Sequence, residues 1–329
     1  MFRPSKFRPL WCTASAVSAF FATVSALAAG DQPVQQAYAK ASNAEAQDNF
    51  GDEIALSGDT IVVASPREDS ASTGVNGNQA SNTASEAGAV YVYVRGEDGA
   101  WTQQAYLKAS NAEADDFFGT SVSISGDTIV VGAPFEDGAS AGVNGDQSTN
   151  TRSQSGAAYV FVRTGSTWTQ QAYLKASNPD AGDKFGIAVA ISGDTIVVAA
   201  TGEDSNATGV DGNQLDNTAA DSGAVYVFVR AGGAWTQQAY LKAANIDATD
   251  LFGYTVGISG DSIIVGAPFE DSASTGINGD AADDTANAAG AAYIFSRSGT
   301  TWTQQAYLKA SNTDAEDNFG IGVAISGDT

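Results

Sequence analysis

Histidine is absent from all 329 residues, cysteine occurs once, at Cys12, and only 15 lysines and arginines stand against 38 aspartates and glutamates. Without histidine, Ser-His-Asp and Cys-His catalysis and the usual zinc ligand sets are excluded. One cysteine cannot form an intramolecular disulfide, so packing, hydrogen bonds or bound ions must hold the fold. The shortage of basic residues leaves a formal charge of −23. Such a chain repels phosphate backbones and anionic membrane surfaces, which excludes nucleic acid as a partner and suits cations or plain solubility. A helix-forming composition is lacking too. Val, Ile, Tyr, Phe, Thr, Gly and Asn carry the repeats, a vocabulary of strands and turns.

The first thirty residues stand apart. Arg3, Lys6 and Arg8 form a basic start, Leu10 to Leu27 is apolar and small, and Ala26-Leu27-Ala28 offers a cleavage site before Gly30. That order is the pattern of a secretory signal peptide over residues 1–29. An uncleaved anchor competes, because the apolar stretch approaches spanning length. Its many Ser, Thr and Ala residues and its small-residue exit favour cleavage. The mature chain, residues 30–329, would then keep 12 basic against 38 acidic residues, a net charge of −26, with no cysteine and nothing to insert into a membrane.

What the chain has in abundance is itself. A Phe-Gly pair stands at Phe50, Phe118, Phe185, Phe252 and Phe319, in steps of 68, 67, 67 and 67 residues, and Trp-Thr-Gln-Gln keeps the same metre from Trp101, Trp168, Trp235 and Trp302. Fixed self-similarity at this spacing is the signature of a repeat architecture.

In the second copy Ser121 to Ser125 alternates polar and apolar residues, the period of a strand with one buried face. Gly126-Asp127 makes a tight turn, and Thr128 to Val131 is an apolar run suited to a strand covered on both faces. Gly132-Ala133-Pro134 ends it, since proline donates nothing to a ladder. A polar loop, Phe135 to Gly156, precedes a third strand from Ala157 to Arg163. After Thr164-Gly165-Ser166 a fourth runs from Trp168 to Ser177, and its Thr169, Gln170, Gln171 and Lys175 read as a polar, exposed edge. Four antiparallel strands per repeat make one blade of an all-β propeller.

Phe118-Gly119 followed by Gly132-Ala133-Pro134, and Phe252-Gly253 followed by Gly266-Ala267-Pro268, resemble the FG-GAP repeats of the integrin α-subunit propeller and its bacterial relatives. The resemblance covers nearly all of the chain after the leader. Ala64-Ser65-Pro66 and Ala199-Ala200-Thr201 depart from it by small-residue substitutions. It implies a ring of seven blades, of which this sequence holds four and part of a fifth. Gln35-Gln36-Ala37-Tyr38 reads as the outermost strand of another blade, and Thr329 falls inside a hairpin turn, so the expectation is a fragment of a longer propeller.

Antiparallel order puts the long loops and the links between blades at one end, and rigid scaffolds carry their binding residues on such loops. Each long loop has an acidic pair (Glu68-Asp69, Glu136-Asp137, Glu203-Asp204, Glu270-Asp271). Seven residues beyond each Asp begins a triplet: Asn76-Gly77-Asn78, Asn144-Gly145-Asp146, Asp211-Gly212-Asn213 and Asn278-Gly279-Asp280. A further Asn82, Asn150, Asn217 or Asp284 follows. Hard cations such as Ca²⁺ take six to eight oxygens of this kind, with glycine for the sharp turn. The candidate metal ligands are therefore Asp69, Asn76, Asn78, Asp137, Asn144, Asp146, Asp204, Asp211, Asn213, Asp271, Asn278 and Asp280. The alternative is that Asn, Asp and Gly are there to make turns. The resemblance does not decide, because the aspartate-rich cation loop of integrin-like repeats has shrunk here to Ser125-Gly126-Asp127-Thr128 and its equivalents.

A second recurrent acid precedes each Phe-Gly by two residues, at Asp48, Asp116, Asp183, Asp250 and Asp317, and reads as a turn-ordering side chain rather than a ligand. The four tryptophans read as apolar anchors, with sugar-stacking platforms as the alternative. Asn206-Ala207-Thr208 fits a glycosylation acceptor. Acids that recur in near-identical sets do not make the single asymmetric centre an enzyme needs, so no catalytic residue is expected. The expected function is an exported or cell-surface module that binds an extracellular protein or glycan through its acidic loop face. A scaffold segment of a larger surface protein is the alternative, and a carboxylate-pair carbohydrate enzyme a distant third.

Overall fold

The computed structural model describes residues 35–327 and 329, so the leader read over residues 1–29 lies outside it. Sixteen strands form four antiparallel sheets, each meandering in chain order. The first is β1 (Ile54–Ser57), β2 (Thr60–Ser65), β3 (Ala89–Arg95) and β4 (Trp101–Leu107). The second is β5 (Ser121–Ser125), β6 (Thr128–Ala133), β7 (Ala157–Thr164) and β8 (Thr167–Leu174). The third is β9 (Val189–Ser192), β10 (Thr195–Ala200), β11 (Ala224–Ala231) and β12 (Ala234–Leu241). The fourth is β13 (Thr255–Ser259), β14 (Ser262–Ala267), β15 (Ala291–Ser298) and β16 (Thr301–Leu308). No helix forms among the described residues.

The second strand of each blade is the apolar run of the sequence, and in β2, β6 and β10 every residue is buried. Three of the four core clusters span adjacent blades: Val62, Val90 and Leu107 of the first pack with Val131, Tyr159 and Tyr173 of the second. The inner strands β1, β5, β9 and β13 stand side by side, and the turn of each is tied to the next by a serine: Ser57, Ser125 and Ser192 Oγ accept the N–H of Gly126, Gly193 and Gly260 at 3.0, 3.0 and 3.1 Å.

The Phe-Gly pair is the staple between blades. Phe185 N–H donates to Ser155 O of the preceding blade at 3.0 Å, while Gly186 N–H donates to Ala199 O of its own at 2.8 Å. The backbones approach so closely that a Cβ on Gly132 would lie 1.9 Å from Gly186 O, and one on Gly186 2.3 Å from Ala157 O. This is why the glycine after Phe recurs in every repeat and why Gly132 and Gly266 carry no side chain. Ala64 and Ala199, which replace the first glycine of the Gly-Ala-Pro signature, are fully buried, so the small-residue departures leave the fold intact. The phenylalanine fills the space behind: Phe185 meets Tyr226 edge-on at 5.3 Å and Phe228 at 6.1 Å.

The fourth strand corrects one expectation. It ends at Leu174, and Lys175, read from sequence as part of an exposed edge, has no exposed surface at all. Trp168 and Tyr173 of the same strand are buried as well. The rest of the polar set is mixed: Thr169 stays exposed, Gln170 and Gln171 are half-buried, and Gln171 accepts from Trp235 and Arg230 of the next blade.

Candidate functional site

At the long-loop end of every blade the sequence builds a buried polar knot around a lysine–glutamate pair, though the hydroxyls of Tyr106 and Tyr240 in the first and third blades take no part in it. In the second blade Lys175 Nζ donates to Glu136 Oε2 at 2.8 Å and to Ser155 Oγ at 2.7 Å. Gly138 N–H shares Oε2 at 3.0 Å, and Oε1 accepts Tyr173 Oη at 2.8 Å and Asn111 Nδ2 at 2.9 Å. Tyr159 Oη closes the knot on Asn111 Oδ1 at 2.7 Å. Glu136 thus has four donors, as a buried charge requires. The pairs Lys108–Glu68, Lys242–Glu203 and Lys309–Glu270 repeat it at 3.0, 2.9 and 2.7 Å, with the lysine fully buried in the first two and nearly so in the last. Burial holds the Lys108, Lys175 and Lys242 ammonium groups below the usual lysine range, against the pull of the paired glutamate.

The first member of each acidic pair is therefore a structural counter-ion inside the blade, not part of the loop face. Asn111 comes from the link to the preceding blade, so the knot also ties consecutive blades together. Sequence reasoning missed both. The signal was present: one lysine and one asparagine, as in Lys108-Ala109-Ser110-Asn111, recur in every repeat of a chain otherwise poor in lysine.

The twelve residues singled out as possible metal ligands are spent on three separate backbone tasks in each loop. Asp69, Asp137, Asp204 and Asp271 accept the N–H of Glu86, Gln154, Asp221 and Ala288 at 2.7–2.8 Å. Asn76, Asn144, Asp211 and Asn278 sit at φ near +55°, where Asn and Asp are the tolerated side chains. Each reaches back to the fourth strand, accepting the N–H of Tyr106, Tyr173, Tyr240 or Tyr307. Asn78, Asp146, Asn213 and Asp280 make turns onto the residue two positions on. Two hydrogen bonds from Ser148 hold the Asp146 carboxyl below its usual range. Each bond ties its loop to nearby backbone, and among the described residues no three His, Cys, Asp or Glu side chains are grouped to hold a metal ion.

Asp48, Asp116, Asp183 and Asp250 are buried, and each accepts the N–H of the residue three before it. The bond runs backwards along the link rather than forwards as in an Asx turn, and it orders the link as expected. Burial raises Asp116, Asp183 and Asp250 to about 8, with the nearby knot glutamate adding to the effect.

The tryptophans are anchors. Trp168, Trp235 and Trp302 are buried, and their Nε1 groups donate to Gln104, Gln171 and Gln238 of the preceding blade at 2.8, 2.8 and 2.9 Å. Arg163, Arg230 and Arg297 lie over these rings at 5.0 Å and pair with Asp127, Asp194 and Asp261 of the tight turns. Arg95 pairs with Asp59 in the same way. Four arginines are thus committed to the tight-turn end, and four lysines lie inside the blades. The long-loop end keeps most of the uncompensated acid.

Around the inner rim of that end, three positions differ from blade to blade while the Phe-Gly between them does not. Just before it stand Asn49, Phe117, Lys184 and Leu251; just after it Asp52, Thr120, Ile187 and Tyr254; and at the exit of the second strand Arg67, Phe135, Gly202 and Phe269. Phe117 and Leu251 hold φ of 55° and 54°, costly for bulky residues. A groove of about 580 Å³ lies elsewhere, between outer strands and beside Ser177, Asp211 and Trp235.

Comparison with curated proteins finds no match. The FG-GAP repeat family matches residues 33–93, 101–161, 168–228, 235–295 and 302–329, one stretch per repeat. Four blades stapled by Phe-Gly, with the family's repeat running from end to end, place this chain in the FG-GAP repeat family.

Proposed function

We propose that the protein is an exported propeller module that binds an extracellular protein ligand through the long-loop end of its blades. The observation that carries the reading is the rim: identical frames at each junction present different side chains, Arg67 and Phe117 at one, Lys184 and Phe135 at the next, Tyr254 and Phe269 at a third. Packing alone would repeat the same residue; variation on a rigid frame is what a surface with one specific ligand needs. The uncompensated acid around the rim supports fast, oriented encounter with a partner of opposite charge. Trp168, Trp235 and Trp302 are buried and cannot stack on sugars, which favours protein over glycan. Export rests on the basic, apolar and small-residue order of residues 1–29 and on a mature chain free of cysteine. Loops fixed by their own hydrogen bonds would serve this role with or without calcium.

The test is a binding screen of the intact mature protein against purified extracellular proteins and a glycan array. Loop-end variants (Asp115→Asn, at an exposed residue of the link that enters the second blade, and Phe117→Ser) would run beside Glu97→Gln, in the turn between β3 and β4 at the opposite end. Protein hits weakened by the loop-end changes alone are expected. Hits that respond only to the tight-turn change, or binding confined to glycans, would overturn the reading.

A further inference from the structure

The buried knots differ in how well they hold their lysine. In the second and third blades the ammonium has a second side-chain partner besides the glutamate, Ser155 Oγ at 2.7 Å or Ser222 Oγ at 2.8 Å. In the first and fourth blades Ala87 and Ala289, both fully buried, stand where those serines do. Among the described residues Lys108 and Lys309 are left with one acceptor each, Glu68 Oε2 at 3.0 Å and Glu270 Oε2 at 2.7 Å. An ammonium with three hydrogens and one acceptor is poorly held away from water. Burial already keeps Lys108 below the usual lysine range.

The other oxygen of the same carboxylate holds an amide. Asn43 Nδ2 donates to Glu68 Oε1 at 2.8 Å, and Asn245 Nδ2 to Glu270 Oε1 at 2.9 Å. Tyr91 Oη and Tyr293 Oη donate to the Oδ1 atoms of the two asparagines. Together these bonds set which atom of each amide is oxygen and which is nitrogen. The knot therefore gathers an amine, a carboxyl that touches both the amine and an amide nitrogen, and a hydroxyl on the amide oxygen. These are the parts of an acyl transfer: a nucleophile, a proton carrier and an oxyanion donor.

We propose that the knots of the first and fourth blades mature into covalent amides, Lys108 Nζ joined to Asn43 Cγ and Lys309 Nζ to Asn245 Cγ, with release of ammonia. Lys108 passes one proton to Glu68 Oε2, and the neutral Nζ attacks Asn43 Cγ while Tyr91 Oη stabilises the charge that grows on Oδ1. The Nζ–Cγ bond forms and the Cγ–Nδ2 bond breaks. Of the two protons that Nζ gives up, one stays on Glu68 and one leaves with Nδ2 as ammonia. Charge balances, and nothing is oxidised or reduced. A buried ion pair becomes a neutral acid beside an amide, which removes the cost of keeping two charges from water. Asn43 and Asn245 are only half-buried, which leaves ammonia a way out. Each bond ties the link that enters a blade to the exit of its fourth strand, in a chain whose described residues contain no cysteine for a disulfide.

The test is mass spectrometry of the intact mature protein, folded and then denatured, followed by sequencing of its tryptic peptides. The expected mass is that of the sequence less two molecules of ammonia. Peptide 41–67 should be joined to 96–152 through Asn43 and an uncleaved Lys108, and peptide 243–297 to the one that begins at 298 through Asn245 and Lys309. Glu68→Gln keeps the shape of the side chain but cannot take the proton, so the first link should vanish. The fourth-blade link should remain and report that the variant still folds. Ala87→Ser supplies the second acceptor and should suppress the first link as well, while Ser155→Ala should add a link between Asn111 and Lys175. An unchanged mass overturns the proposal. So does ammonia lost without linked peptides, as a succinimide at Asn76-Gly77 would give, or a first-blade link that survives Glu68→Gln.

Discussion

Lys175 and Glu136 meet at 2.8 Å with side-chain exposures of 0% and 1%, one residue on the exit of the fourth strand and the other on the exit of the second. The pair closes the blade across its long-loop end. Removing one partner leaves an uncompensated buried charge, so Lys175→Ala should cost about 3–5 kcal/mol of unfolding free energy. Lys175→Met combined with Glu136→Gln should cost less than the sum of the two single changes. Urea unfolding of the four species checks this. Additive losses would mean that the ion pair is not coupled as its geometry requires.

Gln104 accepts from both Trp168 Nε1 and Arg163 of the next blade. Gln104→Ala strands a buried indole N–H and should destabilise by about 1–3 kcal/mol. Gln171→Ala and Gln238→Ala, which strand Trp235 and Trp302 in the same way, should cost as much, as read by thermal unfolding.

Asp116, Asp183 and Asp250 carry a pH dependence of known sign. Folded, they hold their protons up to about 8; unfolded, they ionise in the usual carboxylate range. Between those limits the folded chain binds more protons, so stability is full at the acid end and declines as pH rises towards 8. Around Asp116 the charged groups are Glu113, Glu136 and Asp137, with Lys108 and Lys175 as counter-ions. Asp116→Asn keeps an acceptor for Glu113 N–H and removes the proton. Its stability should fall less steeply than the parent's between pH 5 and 8, as read by denaturant midpoints across that range.

In the third blade Asn217 donates at 2.8 Å to Asp180 of the link that enters it, and in the first two blades Asn82 and Asn150 donate likewise to Glu45 and Glu113. In the fourth, both partners are acids, Asp247 and Asp284; burial and then the Asp284 charge push the Asp247 carboxyl up. Asp284→Asn should restore the amide-to-carboxylate bond and stabilise by up to about 1 kcal/mol. A loss of stability would show that the acid pair has another role.

Loops held by their own hydrogen bonds should not depend on a cation. Thermal midpoints in calcium and in excess chelator are expected to agree within a degree or so. A calcium site occupied at a hundredfold excess would add about 2.7 kcal/mol and raise the midpoint by a few degrees.

Strand order, turn positions and blade boundaries were legible because Phe-Gly, the Ser-Gly-Asp turn and Trp-Thr-Gln-Gln each report a local backbone demand. Lys175 was not. Local pattern gives a lysine after a polar strand to solvent, and only the distant Glu136, Ser155 and Asn111 make its burial possible. The backbone work of the candidate ligands was hidden for a related reason. Composition reveals that Asp137, Asn144 and Asp146 are oxygen donors, but not that three different backbone amides claim them. The rim was invisible because residues that differ between copies fall outside a search for what repeats.

Hydrogen exchange of the intact mature protein, free and bound to a protein ligand from the binding screen, tests the central claim most directly. Protection is expected at the links and loop exits of the rim, around Phe117, Phe135, Tyr254 and Phe269, with the tight turns at Gly58, Gly126, Gly193 and Gly260 unchanged. Protection at those turns, or along the outer strands, would contradict it.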